Sequence, residues 1–552
     1  MNGKSAPVGA EQVAMARSIL QKYKAGKTAL EQRLIENEQW YKLRHWDYLS
    51  RRRPGQELTE PVSGWLFNAI CAKHADAMDN FPAPLLLPRQ AEDRPLAEKL
   101  SAVLPVILEQ DDFEQTYSDV NDDKLRSGTG IYGVFWDTEE GEGNVAIRCV
   151  DPISLFWEPG VSDIQKSRNV FLVELVDRDL LRQRYPFLQQ VGEGGELSRY
   201  IYDENVDTAH KAAVVDWYYK IRGRDGKTRL HYAKFTGHTL LYASQNDPCL
   251  RERGWYDHGQ YPFVFDSLYR VKGSPCGFGF IDLGRSAQEY IDRSNRAILE
   301  NLLVSATPRH FIRNDGSVNE EEYLDLRNPL IHVDSGLGQD SILPVQTTPL
   351  PEVYLQVLNG KVDELKEVTG NRDVSTGGTA GGVTAAAAIA AMQEAGSKLS
   401  RDLSKAGYRA FRKVVLLVLA LLRQFYVKPR NFRVKEGKEF LTWGGEGRDT
   451  LFDVQVSARK APAYSRVSRN ELALQFFANG FFQPERAGEA LACLQLMEFE
   501  GKALMEERIA RAAAQGQSAT PTGTARKLRT PEQEPKAVKK AREQAASAAE
   551  PR

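Results

Sequence analysis

Several spacings in this chain could carry chemistry, and each lacks a necessary part. Gly128-Thr129-Gly130-Ile131-Tyr132-Gly133 satisfies the G-x-G-x-x-G pattern of a dinucleotide-binding turn, but such a turn follows a strand and opens a helix. Here the order is reversed, so a tight helix-to-strand turn is the better reading. Gly26-Lys27-Thr28 has the closing letters of a phosphate-binding P-loop, yet Gln21 stands where its first glycine is required, which argues against ATP hydrolysis. The eight histidines form no H-E-x-x-H pair, and no G-x-S-x-G elbow presents a serine nucleophile. Lone residues such as His74 and His310 read as surface or satisfied core. Asp122-Asp123 and Glu139-Glu140 are neighbours in sequence rather than on one helical face, and they read as solvated carboxylates. Cys71, Cys149, Cys249, Cys276 and Cys493 are odd in number and scattered without a C-x-x-C pair, so neither zinc nor a disulfide framework is indicated. No catalytic, cofactor or metal site is expected.

With no reacting centre to position, the elements themselves become the subject. The most informative stretch is Val374 to Ala391, VSTGGTAGGVTAAAAIAA. Gly377, Gly378, Gly381 and Gly382 remove the Cβ penalty on positive φ and let the loop approach another surface. From Thr384 to Tyr426 the chain has no proline and is rich in Ala, Leu, Lys, Arg and Gln, so a helix of roughly 60 Å is expected. Gly396-Ser397 is the kind of pair at which long helices bend, and a kink is expected there.

Upstream, residues 10 to 50 carry helical periodicity (Val13, Leu20, Tyr23, Leu30, Leu34), and Thr59 to Phe81 and Leu96 to Arg126 read as further helices. Gly130 to Asp137, Asn144 to Val150, Asn169 to Val176, Val214 to Arg222 and Thr228 to Tyr242 read as strands, with Arg224-Asp225-Gly226-Lys227 as a hairpin turn. The block is α+β. Asp282 to Ser305 is amphipathic and stops before Thr307-Pro308. Residues 308 to 350 hold short strand-like pieces, Arg309 to Arg313 and Leu330 to Val333. Glu352 to Val368 reads as a helix opened by Pro351. Phe432 to Val434, Phe440 to Trp443 and Leu451 to Ser457 read as strands, 468 to 513 as helical, and the stretch from 514 has the composition of a disordered tail.

The chain has 552 residues, too many for one core, so several domains or one elongated multi-part subunit is expected. Its 73 Lys plus Arg nearly cancel 74 Asp plus Glu, against the high pI of a protein that coats nucleic acid through a broadly basic surface. The N-terminus has no secretory signal. The longest apolar run, Val414 to Leu422, is nine residues, about half a membrane span. A reducing cytosol is the expected folding compartment.

The run Thr369 to Tyr426 resembles the tunnel loop and kinked tunnel helix of tailed-bacteriophage portal proteins. So do SGTGIYGVFWD at Ser127 to Asp137, VDPISLFWEPG at Val150 to Gly160, and the run Ser274 to Ile312. The resemblance implies an α+β, multi-domain elongated portal subunit. Its parts would be a wing (1–273), a first stem helix (274–307), a clip (308–350), a second stem helix (351–370), a tunnel loop (371–384) and a kinked tunnel helix (385–426). Strands returning to the wing (427–467), a helical crown (468–513) and a tail (514–552) would complete it. It further implies a non-enzymatic, twelvefold ring at the capsid vertex of a virion assembled in the host cytoplasm. Double-stranded DNA would pass non-specifically through its channel. Terminase, major capsid and scaffold proteins and a head–tail adaptor would be its partners, and no membrane. Arg372, Asp373, Ser375, Thr376, Gly377, Gly378, Thr379, Gly381, Gly382 and Thr384 would form the loop around the duplex. Arg293 and Arg296 share one helix face, as Lys361 and Lys366 do more loosely. They read either as ion-pair partners, Glu289 and Glu300 being in reach, or as channel lining. The alternative class is a head–tail adaptor with no packaging role, which would be far shorter.

Overall fold

The computed structural model describes residues 7–49, 60–138, 141–188, 208, 210–223, 226–306, 310–312, 319–324, 342–344, 351–370, 398–434, 440–444, 450, 452–458 and single positions between 475 and 509. The chain divides into two compact units, Met1–Ala461 and Pro462–Arg552. Within the second, Phe476, Ala490, Leu494 and Ile509 are buried together.

The first unit opens with α1 (Ala10–Tyr41), whose Val13, Ala16, Leu20, Tyr23 and Leu34 recur at helical spacing on its buried face. Periodicity suggested helix to residue 50. The helix ends at Tyr41 because Leu43 turns the backbone to a φ of 59°, and a short α2 (Trp46–Leu49) follows. Next come α3 (Trp65–Asp79), shorter at its start than expected, and β1 (Pro82–Pro88). The stretch expected to be one helix from Leu96 to Arg126 is two, α4 (Arg94–Gln110) and α5 (Phe113–Ser127). Asp112 sits in the left-handed region at the break, and Asp111 Oδ2 accepts the Ile147 N–H at 2.6 Å. A carboxylate is thus spent on the neighbouring strand rather than on a continuing helix.

Two antiparallel sheets follow. In the first, β2 (Thr129–Asp137) lies between β3 (Asn144–Cys149) and β9 (Phe263–Ser267), with Tyr132 opposite Cys149 and Ile131 opposite Phe265. The second is a meander of β4 (Leu155–Trp157), β5 (Asn169–Asp177), β6 (Lys211–Arg222), β7 (Thr228–Thr236) and β8 (Thr239–Ala243), with α6 (Arg178–Arg184) after β5. The run Thr228 to Tyr242 is two strands, because the chain reverses at Gly237 with a φ of 54°. Strand alternation sends Phe171, Val173, Val215 and Trp217 to the α1 side of this sheet, and Val170, Leu172 and Tyr218 to the main core. The sheet is therefore covered on both faces.

After β10 (Tyr269–Arg270) and β11 (Gly277–Phe278) comes α7 (Phe280–Ala306). A small pair, β12 (His310–Ile312) against β13 (Ile342–Pro344), with α8 (Glu320–Leu324) between them in sequence, separates α7 from α9 (Val353–Thr369). The expected strand at 330–333 lies outside the described residues. The long helix α10 (Lys398–Phe425) places Phe411, Val414, Val415, Val418, Leu421 and Leu422 in the main core. Each such side chain contributes about 1.5–3 kcal/mol. Gly407 brings α10 close over a buried ion pair, Lys124 to Asp266 at 2.8 Å; a Cβ there would lie 3.6 Å from Asp266 Oδ2. Finally β14 (Arg430–Arg433) pairs with β15 (Phe440–Trp443), and β16 (Phe452–Ala458) returns to pair with β1.

Candidate functional site

The G-x-G-x-x-G segment is built as a structural turn. Gly128 caps α5 in the left-handed region, with its N–H donated to the Lys124 carbonyl, and β2 begins at the next residue. A Cβ on Gly128 would lie 2.2 Å from the Phe278 carbonyl carbon, and one on Gly130 would lie 2.1 Å from the Val120 carbonyl oxygen. The glycines admit backbone, not a cofactor. Lys27, the lysine of the incomplete P-loop, is buried and donates to the carbonyls of Pro152, Ile153 and Leu155. Burial pulls its ammonium down to about 8, against the favourable charge of Glu31.

Asp122 and Asp123 diverge. Asp122 pairs with Arg126 near the surface. Asp123 is not the solvated carboxylate expected: α5 carries it under the end of β3, where it accepts from the Cys149 thiol at 3.3 Å. Burial, with Asp151 nearby, raises it to about 7. The same burial drives the Cys149 thiol far up, so it stays protonated and is no nucleophile. Asp123 and Asp151, with Glu38 and Arg126, border a cleft of about 280 Å³. His74 is satisfied by Ser118. Among the described residues no group of His, Cys, Asp and Glu could hold a metal ion, and no helix is long and apolar enough to cross a membrane. Glu139-Glu140 and Cys493 lie outside the described residues.

The feature that stands out is the pair α7 and α9. Their root is a polar and apolar anchor. Ile291 and Leu365 are buried with Trp40, Leu66, Ile70, Leu125 and Phe280. Asp292 accepts from Ser63 N and Oγ (3.1 and 2.9 Å) and from Gln288 Nε2 (3.1 Å), and meets His45 Nδ1 at 2.6 Å. The other imidazole nitrogen donates to the Trp40 carbonyl at 3.0 Å. Lys73 donates to the Gly370 carbonyl at the C-terminal end of α9, where a cation is favoured. Beyond this root both helices leave large apolar side chains in water. Leu302 and Leu303 are 60 and 55% exposed near the end of α7, and Val353 and Leu355 are 60 and 53% exposed at the start of α9.

The four charged residues singled out on these helices have partners within the chain. Arg293 pairs with Glu289 and Arg296 with Glu300, both at 2.7 Å. Arg296 also lies over the Trp46 ring. Lys361 pairs with Glu364 at 2.6 Å and lies over Tyr290, and Lys366 lies over Trp65. Arg372, Asp373, Ser375, Thr376, Gly377, Gly378, Thr379, Gly381, Gly382 and Thr384, and the kink at Gly396 and Ser397, lie outside the described residues.

Comparison with known proteins settles the family. A model of the phage P22-like portal protein family matches residues 75–551. The chain belongs to that family. It is also 21% identical over 371 residues to the portal protein of Helicobacter pylori bacteriophage KHP30, a match covering 64% of this chain and 56% of that protein. The aligned part thus spans little more than half the length of that relative. The family is structural, and no catalytic family is indicated.

Proposed function

We propose that this chain is the repeating subunit of the ring at one capsid vertex of a tailed phage or prophage, through which double-stranded DNA is packaged and ejected. The observation that carries the reading is the uncovered apolar surface of α7 and α9 in a member of a portal family. Large exposed aliphatic groups concentrated at the ends of two neighbouring helices mark an interaction surface. A closed ring needs head-to-tail contacts between copies, and stiff helices packed side by side supply its wall. In this reading the resemblance assigns α7 and α9 to the stem, the β12–β13 pair to the clip, and residues 371–384 to a gasket around the duplex, with twelve copies in the virion. The wing would meet major capsid and scaffold proteins. The clip would dock terminase, which supplies the energy, and later a head–tail adaptor. Arg293, Arg296, Lys361 and Lys366 would stand on the channel wall, with Arg372 brushing phosphates.

Replacing Leu302, Leu303, Val353 and Leu355 together by serine tests the carrying observation. The variant is expected to keep its far-ultraviolet circular dichroism and thermal midpoint but to sediment as a monomer where the unmodified protein forms rings. Unchanged assembly would place the contact between copies elsewhere. The gasket has its own test. Alanine at Gly377, Gly378, Gly381 and Gly382 stiffens the loop and is expected to lower packaged and retained DNA, whereas packaging at the unmodified level would remove the gasket from the account.

A further inference from the structure

The exposed face of α10 carries a strongly cationic strip. The helix has seven basic residues, Lys398, Arg401, Lys405, Arg409, Arg412, Lys413 and Arg423, against a single acid, Asp402. Arg401, Lys405, Arg409, Arg412 and Lys413 are all exposed, while Phe411, Val414 and Val415 between and beyond them are buried. Spacings of four and three residues keep Arg401, Lys405, Arg409 and Arg412 within one narrow arc. With Lys413 they form a row about 18 Å long. Asp402, next to Arg401, is exposed on the same face; burial raises the Tyr269 hydroxyl, and the Asp402 charge adds to that. Among the described residues, Lys405, Arg409, Arg412 and Lys413 make no ion pair with a carboxylate. That contrasts with Arg293, Arg296 and Lys361, each of which has its own glutamate.

We propose that this strip is a binding surface for the phosphate backbone of duplex DNA. Two observations favour a polyanion over a second copy of the chain. Contacts between copies exclude charge from their centre and carry apolar area, as the ends of α7 and α9 do, whereas this row offers five cations and one carboxylate, Asp402, before the first exposed aliphatic group at Leu416. An overall charge of −1 also makes a local run of like cations stand out, since a mixed surface would interleave acids to relieve their repulsion. Arginine and lysine side chains on a rigid helix, anchored through the opposite face in the main core, meet phosphates without reading sequence. The site is distinct from the loop at 371–384 and from the four stem residues. The inference rests on the portal reading for its supply of DNA.

The test uses the full-length protein and a short fluorescein-labelled duplex of random sequence, with binding followed by anisotropy between 50 and 200 mM salt. One variant carries Lys405→Gln, Arg409→Gln, Arg412→Gln and Lys413→Gln. A control of equal charge change carries Arg94→Gln, Arg168→Gln, Arg182→Gln and Arg253→Gln, all well-exposed residues elsewhere. Each phosphate contact contributes about 0.9 to the slope of log affinity against log salt. The strip variant should therefore lose about 3 to 4 from that slope and bind at least tenfold more weakly at low salt, while the control keeps most of both. Equal slopes for strip variant and control would overturn the proposal, as would absence of duplex binding by the unmodified protein. Electron microscopy of the same samples separates the two readings. Intact rings with an unchanged slope reject the strip alone. Loss of rings by the strip variant with an unchanged slope assigns the row to a contact between copies and rejects it too.

Discussion

At the scale of single residues, Asp123 makes the most direct statement about pH. Its carboxyl is raised from 3.8 to about 7, first by burial and then by Asp151. Between those values the folded chain holds a proton that the unfolded chain releases, so stability falls as pH rises through that window and stays low above it. Asp123→Asn removes the half-buried charge but keeps an oxygen for the Cys149 thiol. The variant is expected to be about 2 kcal/mol more stable at pH 8 and to show no advantage near pH 4, read from urea midpoints. A difference independent of pH would mean that the carboxyl is solvated in the fold. Gly128 tests backbone instead. Alanine there combines a φ of 87° with a Cβ 2.2 Å from the Phe278 carbonyl carbon, and should cost at least about 2 kcal/mol in the same titration. The sequence showed Gly128 as a turn because the flanking periodicities change from helix to strand. It did not show Asp123 as half-buried against β3, since two adjacent aspartates on a polar helix look alike until one knows that the Cys149 end of β3 meets only the second.

At the scale of elements, periodicity made the long helices legible. Phe411, Val414, Val415 and Val418 repeat at the helical period, and all lie in the main core. Phe411→Ala should cost about 3–5 kcal/mol, measured by denaturant unfolding, because the ring is fully enclosed. A loss below 1 kcal/mol would mean that α10 is not seated as described. Strand β1 was illegible for a physical reason. Pro82, Pro84 and Pro88 argue against a strand, yet they share the alternation of Leu86, whose N–H turns away from β16 to donate to Ser101 Oγ at 2.9 Å. A proline is tolerated on the side of an edge strand that makes no ladder bond. The split between α4 and α5 was hidden for a similar reason, since Asp111 serves a strand that the local sequence does not reveal.

At the scale of the whole molecule, the sequence carried the family in its ordered set of long helices and glycine loop, and the family model covers residues 75–551. Which surfaces stay uncovered was not legible, because exposure depends on packing that brings together residues hundreds of positions apart, such as His45 and Asp292 at the root of α7. The uncovered surfaces divide by chemistry: aliphatic at the ends of α7 and α9, cationic along α10. The central claim is that many copies close into a ring through the first of these. The most direct test is electron microscopy of the purified full-length protein, with particles viewed down the axis and copies counted. The expected result is closed rings, α7 and α9 of neighbouring copies side by side around an opening wide enough for a B-form duplex. Persistent monomers at high concentration, or rings in which Leu302, Leu303, Val353 and Leu355 remain in solvent, would contradict it.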